Sequence, residues 1–288
     1  MKRPAHITMV NGVETSAIDI ADRGLAYGDG IFETMRVIDG EIPLLPHHLT
    51  RFLNGVRVLA LGDEGRLKRD FLHYIKHTLN EVKDNACLDS SIIKMMVTRG
   101  NGGRGYLPPE EATCHFIVQV FDCPTYPEHY ASKGIYLREC EYRLGFQPQL
   151  SGIKHLNRLD QVLASQELYD EPEGLLLDYN DNVIEGTKSN LIVFKNDKVL
   201  TPNLNDCGVH GVLRSELLNP SYPLELAVIE DVLTLDDIIS SDALAMVNSV
   251  FGIWFVDTLL LQNGKKIKFK QTANYETVRN YLAQNYSY

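Results

Sequence analysis

Gly152-Ile153-Lys154-His155-Leu156-Asn157-Arg158-Leu159 is the stretch on which the reading of this chain turns. Lys154 sits among apolar Ile153 and Leu156, with Arg158 following on the same segment. Desolvation and a neighbouring cation both favour the neutral amine, the form that acts as nucleophile or general base. The same string also describes a surface lysine snorkelling over apolar neighbours at a helix start. A helix is expected beyond it, with Leu156, Leu159, Val162 and Leu163 on one face.

Downstream, residues 175–178, 183–185 and 190–194 read as three short strands bounded by polar links. Glu185 ends the second of them. A carboxylate there needs a partner, because an unpaired buried charge is costly. A protonated pyridine nitrogen is one such partner, and holding that proton makes the ring an electron sink. A salt bridge to Lys188 is the other. A further helix is expected from Gly211-Val212-Leu213-Arg214, and the apolar run 243–247 ends at Asn248 and Ser249.

Upstream, residues 7–10 and 13–15 flank Asn11-Gly12, which suits a tight primed turn and predicts a hairpin. Residues 32–38 and 41–44 flank Asp39-Gly40 and predict a second. After Pro46, a first-turn residue, Leu49, Phe52, Leu53 and Val56 recur at helical spacing. Phe71, Ile75 and Leu79 predict another helix, and residues 92–98 and 115–121 two strands of one sheet. The turn-rich stretch 122–127 is expected to link a smaller α/β domain, 1–121, to a larger cofactor-binding domain, 128–288. The fold class is α/β (α+β).

The chain has 288 residues, 44% of them hydrophobic, enough for a large core. Its formal net charge of -10 argues against nucleic acid as a partner, since phosphate backbones need a basic face. The odd number of cysteines, five, with no C-x-x-C pair, points to reduced thiols in a cytoplasmic protein. No signal peptide or membrane span is read, and a membrane partner is not expected. His47-His48 have no carboxylate or cysteine at ligand spacing, so no metal is expected.

Three places offer phosphate-binding groups: Arg51 on the helix after Pro46, the backbone of the Gly208–Val212 segment at a helix start, and Asn248-Ser249 at a strand end. Each also reads as ordinary surface structure. The loop Thr98-Arg99-Gly100-Asn101-Gly102-Gly103-Arg104-Gly105-Tyr106 fits neither a P-loop nor a dinucleotide fingerprint. It suits a substrate loop, with Arg104 gripping a carboxylate, or an exposed flexible loop.

In this order, the segments resemble the fold-type IV pyridoxal-phosphate enzymes, a family of branched-chain aminotransferases, D-amino acid aminotransferases and aminodeoxychorismate lyases. The resemblance runs from Asp22-Arg23-Gly24 and Tyr27-Gly28-Asp29-Gly30-Ile31-Phe32-Glu33 through Asn248. The strings around Lys154 and Arg104 are most similar to the lyase branch. The resemblance implies pyridoxal 5'-phosphate as cofactor, Lys154 as its Schiff-base lysine and catalytic base, and Glu185 as the partner of the pyridine nitrogen. It implies a phosphate held by Arg51, the backbone of Val212 and Leu213, and Asn248 and Ser249. Arg104, Tyr106 and Arg158 become candidates for substrate binding. A homodimer acting on a small molecule is implied, with 4-amino-4-deoxychorismate as substrate. A D-amino acid aminotransferase and a non-catalytic pyridoxal-phosphate binding protein are the alternatives. Glu33 stands where some lyases carry threonine and aminotransferases often glutamate, and Lys188 puts a cation in a segment usually small and polar.

Overall fold

The computed structural model describes residues 5–83, 90–103, 105–219 and 226–288. The chain divides into two compact units, Met1–Pro124 with Ile153–Asn157, and Thr125–Gly152 with Arg158–Tyr288.

The first unit contains β1 (Ile7–Val10), β2 (Val13–Glu14), α1 (Arg23–Tyr27), β3 (Gly30–Ile38), α2 (Leu45–Val58), α3 (Glu64–Lys83), β4 (Ser90–Thr98) and β5 (His115–Asp122). The strands form an antiparallel sheet in the order β2-β1-β5-β4-β3. Asn11 and Gly12 join β1 to β2 with φ of 51° and 79°, the left-handed pair that a primed turn needs.

The second expected hairpin stops at its turn. Ile38 and Glu41 form one isolated bridge. β3 pairs instead with β4, from Gly30 opposite Thr98 to Ile38 opposite Ser90. Pro43 has no N–H for a ladder, and Ile42 turns into the core with Phe52 and Phe71. Strand alternation buries Ile31, Glu33, Met35 and Val37 on one face of β3. The apolar members of that row join Phe52 and Val56 of α2 and Phe71 and Ile75 of α3 in one core. Each such side chain contributes roughly 1.5–3 kcal/mol on burial. The helical spacing read from the sequence is therefore the spacing of the buried face.

The second unit contains α4 (Glu128–Ser132), β6 (Ile135–Leu144), α5 (Leu159–Gln166), β7 (Glu173–Asp178), β8 (Asn182–Gly186), β9 (Asn190–Lys195) and β10 (Lys198–Pro202). Then follow α6 (Val212–Leu217), β11 (Val228–Asp231), β12 (Leu233–Thr234), α7 (Leu235–Ile239), β13 (Ala243–Asn248), β14 (Gly252–Leu260), β15 (Lys266–Lys268) and α8 (Ala273–Tyr286). Its mixed sheet runs β11-β10-β9-β13-β14-β6-β7-β8-β12, with β15 on β14. β7 and β9 are buried along nearly their whole length, which is why they read as unbroken apolar runs.

The helix after Lys154 forms, as α5, but with a different buried face. Leu156 lies outside it, and Leu159, Val162 and Leu163 are 73%, 48% and 45% exposed. Ala164 is the buried residue, packed with Cys140, Leu176 and Ile184. A small side chain lets this short helix approach the sheet, and the larger apolar residues are left outside.

Among the described residues, no helix is long and apolar enough to cross a membrane. Nor, among them, is any group of three or more His, Cys, Asp or Glu placed to hold a metal ion.

Candidate functional site

In the first unit, Ile153–Asn157 lies along β3. Phe32 N–H donates to the Lys154 carbonyl at 2.9 Å, and Leu156 N–H to the Gly30 carbonyl at 2.9 Å. Ile31 and His155 form the antiparallel bridge between them. Gly30 permits this approach, since a Cβ there would stand 2.4 Å from the Val97 carbonyl oxygen and 2.8 Å from Leu156. Asn157 Nδ2 closes the segment on the Gly28 carbonyl at 3.1 Å. Lys154 is thus fixed by its backbone, and its Nζ lies 4.6 Å from the centre of the Phe32 ring. The ring gives the amine an apolar, π-rich neighbour within cation–π range.

Glu33, next on β3, faces α2. Arg51 Nε donates to its Oε1 at 2.8 Å and Arg51 Nη2 to its Oε2 at 2.5 Å. His48 Nδ1 stands 2.6 Å from the same Oε2. Burial opposes charge on Glu33, but the Arg51 guanidinium and the hydrogen bonds from Arg51 and His48 outweigh it and bring its pKa down to about 2. Burial lowers the pKa of His48 against the pull of Glu33, so the imidazole is neutral and its Nδ1–H donates to the carboxylate. Arg51 is therefore a preset cation, its fork oriented by Glu33.

In the second unit, Glu185 is buried at the end of β8. Its Oε2 accepts the Val209 N–H at 2.8 Å, and its Oε1 the Gln161 amide at 3.4 Å. Lys188, the competing partner, donates to the Pro172 carbonyl at 2.5 Å instead. Arg158 Nη1 reaches Gln161 Oε1 at 3.4 Å, so Arg158, Gln161 and Glu185 form a chain of contacts.

The loop before α6 is pinned from two sides, by Glu185 on Val209 N–H and by Asn190 Nδ2 on the Val209 carbonyl at 3.0 Å. A Cβ on Gly211 would lie 1.9 Å from Asn190 Oδ1. Val212 and Leu213 are buried in the first turn of α6, where N–H groups lack intrahelical acceptors. Asn248 spends its side chain on structure: Nδ2 donates to the Lys188 carbonyl at 3.2 Å, and Oδ1 accepts Val250 and Phe251 N–H at 2.9 Å each. Ser249 is buried beside it, its carbonyl accepting the Tyr288 hydroxyl at 2.8 Å.

Several neighbours of the candidate residues escaped the sequence reading. Glu173, fully buried, accepts Gly174 N–H at 3.0 Å, Thr187 N–H at 2.8 Å, Ser189 Oγ at 2.6 Å and the Thr187 hydroxyl. It thereby sets the turn that follows Glu185. An acid opening an apolar strand was its only sequence signal. Gln161 and Asn190 carried none beyond their place near Lys154 and Glu185. Of the substrate candidates, Tyr106 is 86% exposed and Arg104 lies outside the described residues.

A family model described as amino-transferase class IV matches residues 30–259. The chain belongs to that family. It is 32% identical to an aminodeoxychorismate lyase of Vibrio harveyi over 85% of this chain and 88% of that one. It is 25% identical to a D-alanine aminotransferase of Staphylococcus epidermidis, over 88% of each. Among solved structures it resembles the 4-amino-4-deoxychorismate lyase of Pseudomonas aeruginosa, with TM-score 0.87, 36% identity, and coverage of 98% of this chain and 100% of that one. The branched-chain aminotransferase of Escherichia coli shares the fold at TM-score 0.77 and 19% identity, over 97% and 94% of the two chains.

Proposed function

We propose that this chain is a pyridoxal-phosphate-dependent carbon–oxygen lyase, converting 4-amino-4-deoxychorismate to 4-aminobenzoate and pyruvate for folate synthesis. The observation that carries the reading is the likeness to the Pseudomonas aeruginosa lyase over 98% of the chain at 36% identity.

The residues fit the cofactor by chemical type. An aldehyde needs an amine, and Lys154 supplies one beside Phe32. A ring nitrogen needs a carboxylate, and Glu185 is a buried one already aligned by Val209 and Gln161. A phosphate needs donors, for which Arg51, the first-turn N–H groups of Val212 and Leu213, and Asn248-Ser249 are the candidates. When bound, the cofactor supplies an electron sink for the carbon that loses its proton.

Lys154 takes that proton from the amine-bearing carbon, as general base. The adjacent carbon–oxygen bond to the enolpyruvyl group breaks, and the leaving enolate takes up a proton to become pyruvate. The remaining ring is 4-aminobenzoate, and its aromaticity drives the step. Glu185 keeps a proton on the pyridine nitrogen throughout. Arg104, Tyr106 and Arg158 hold the substrate, with an arginine on a carboxylate so that the breaking C–H bond is oriented.

The enzyme works as a cytoplasmic homodimer. Ile20 and Leu25, both well exposed on one unit, support the dimer. The free thiols of Cys114, Cys140 and Cys207 support a reducing compartment.

A D-amino acid aminotransferase is the second reading, favoured by Glu33 and by the Staphylococcus epidermidis relative. The deciding experiment gives cofactor-loaded protein 4-amino-4-deoxychorismate with no 2-oxo acid. Equimolar 4-aminobenzoate and pyruvate support the lyase. No release, with amino transfer from D-alanine once 2-oxoglutarate is added, replaces it with the aminotransferase.

A further inference from the structure

In the segments Asp22-Arg23-Gly24 and Tyr27-Gly28-Asp29, the side chain of Arg23 plays no part in the chemistry above, yet it is heavily bonded. Arg23 is 3% exposed. Its Nε donates to Asp29 Oδ2 at 2.9 Å. Its Nη1 donates to the Gly105 carbonyl at 3.0 Å and reaches the Gly102 carbonyl at 3.4 Å. Its Nη2 donates to the Tyr106 carbonyl at 2.7 Å. The guanidinium lies 4.9 Å from the centre of the Tyr27 ring, and that ring meets Tyr106 edge-on at 5.5 Å.

The hub of this arrangement is Asp29. Arg99 donates to it from Nε at 2.7 Å and from Nη2 at 3.0 Å. Arg99 also donates to the carbonyls of Leu59 and Ala60, just past the end of α2, at 2.7 and 2.8 Å. Burial opposes charge on Asp29, but Arg99 and Arg23 hold its carboxyl below the usual range. Asp22 anchors the other side, capping α1 through Gly24 N–H at 2.7 Å and accepting from Thr98 Oγ1 at 2.7 Å. A continuous set of contacts thus runs from the end of α2 through Arg99, Asp29 and Arg23 to the carbonyls of the glycine-rich loop.

Burying an arginine to bind three backbone carbonyls is expensive unless their position matters. Carbonyls of an exposed loop are otherwise satisfied by water. Lysine cannot replace the planar fork that spans them.

We propose that Arg23, held by Asp29, is a positioning residue that fixes the backbone carbonyls of Gly102, Gly105 and Tyr106, so that the loop they belong to can receive an anionic, carboxylate-bearing substrate. The inference rests on the reading of that loop as the substrate loop. Arg23 touches no reacting atom. It acts through the loop backbone, so its loss weakens substrate binding and leaves the cofactor end and the proton transfer intact.

The test compares Arg23→Lys with wild type, both loaded with pyridoxal phosphate, in steady-state kinetics and in limited chymotrypsin digestion after Tyr106. The expected result is a KM for 4-amino-4-deoxychorismate raised about ten-fold and cutting after Tyr106 faster by about ten-fold, with kcat and cofactor absorbance within about two-fold of wild type. If Arg23→Lys does not fold, Tyr27→Leu removes the ring between Arg23 and Tyr106 without touching an ion pair, and the same shifts are expected in smaller size. Unchanged cutting overturns the proposal, as does faster cutting with an unchanged KM. If wild type releases no 4-aminobenzoate, the lyase reading fails by itself; digestion and the KM for D-alanine then decide the role of Arg23.

Discussion

Glu33 meets Arg51 with both carboxylate oxygens, at 2.8 and 2.5 Å, while His48 closes on one of the same oxygens at 2.6 Å. A part-buried guanidinium bonded on two edges to a buried carboxylate has little freedom to swing. If Arg51 grips the cofactor phosphate, Glu33 decides where the grip lies. Glu33→Gln should replace the charged acceptor shared by Arg51 and His48 with a neutral amide. We expect a stability loss of about 3–5 kcal/mol, as for a broken buried pair, and weaker pyridoxal-phosphate binding. Pyridoxal, which lacks the phosphate, should bind the variant and the wild type alike. Equal loss for both ligands would separate Glu33 from the phosphate.

The same trio sets a pH dependence. Glu33 has its folded pKa lowered from 4.5 to about 2, so its contribution is present above pH 4.5 and is lost as pH falls through that interval. The linkage is about 3 kcal/mol in size. His48 is also lowered, from 6.5, so it too favours the folded state above 6.5 and costs stability as pH falls below that value. Both signs agree. Resistance to urea should therefore fall progressively from neutrality towards acid, and Glu33→Gln should flatten the portion below pH 4.5. A variant curve parallel to wild type in that range would contradict the assignment.

Glu185→Gln keeps an oxygen for the Val209 N–H but removes the charge. If Glu185 holds the proton on the pyridine nitrogen, kcat should fall by about a hundred-fold or more, in line with loss of a main electrostatic stabiliser. Cofactor content should stay close to wild type. A variant with wild-type kcat would leave Glu185 as a loop anchor for Val209 only.

Gly211→Ala tests the loop before α6. The added Cβ would lie 1.9 Å from Asn190 Oδ1, so the loop or Asn190 must move. Overpacking of this kind costs about 1–3 kcal/mol. Expressed at the cofactor phosphate, that is a weakening of about ten-fold, readable in a pyridoxal-phosphate titration. Unchanged affinity would place the phosphate away from Val212 and Leu213.

The legible part of this chain was local. Asn11-Gly12 announced its turn, and Phe52, Val56, Phe71 and Ile75 announced their helices, because turn chemistry and periodicity act over a few residues. The approach of Ile153–Asn157 to β3 was not legible, since it depends on Gly30 lacking a side chain far upstream. Glu33 with Arg51 and Asp29 with Arg99 were equally hidden, because an ion pair across a fold has no spacing to read. The face of α5 was misread for the opposite reason. Its apolar residues suggested a core, yet small Ala164 is what packs.

The most direct measurement starts from a second lysine. Lys94 Nζ lies 5.6 Å from the centre of the Phe32 ring and Lys154 Nζ 4.6 Å, so two amines flank the same ring. Borohydride converts a reversible lysine–cofactor linkage into a stable amine, which peptide mass mapping then locates. Modification of Lys154, with loss of 4-aminobenzoate release and of the cofactor absorbance in Lys154→Ala, is the predicted result. A label on Lys94, or wild-type release by Lys154→Ala, would contradict the account.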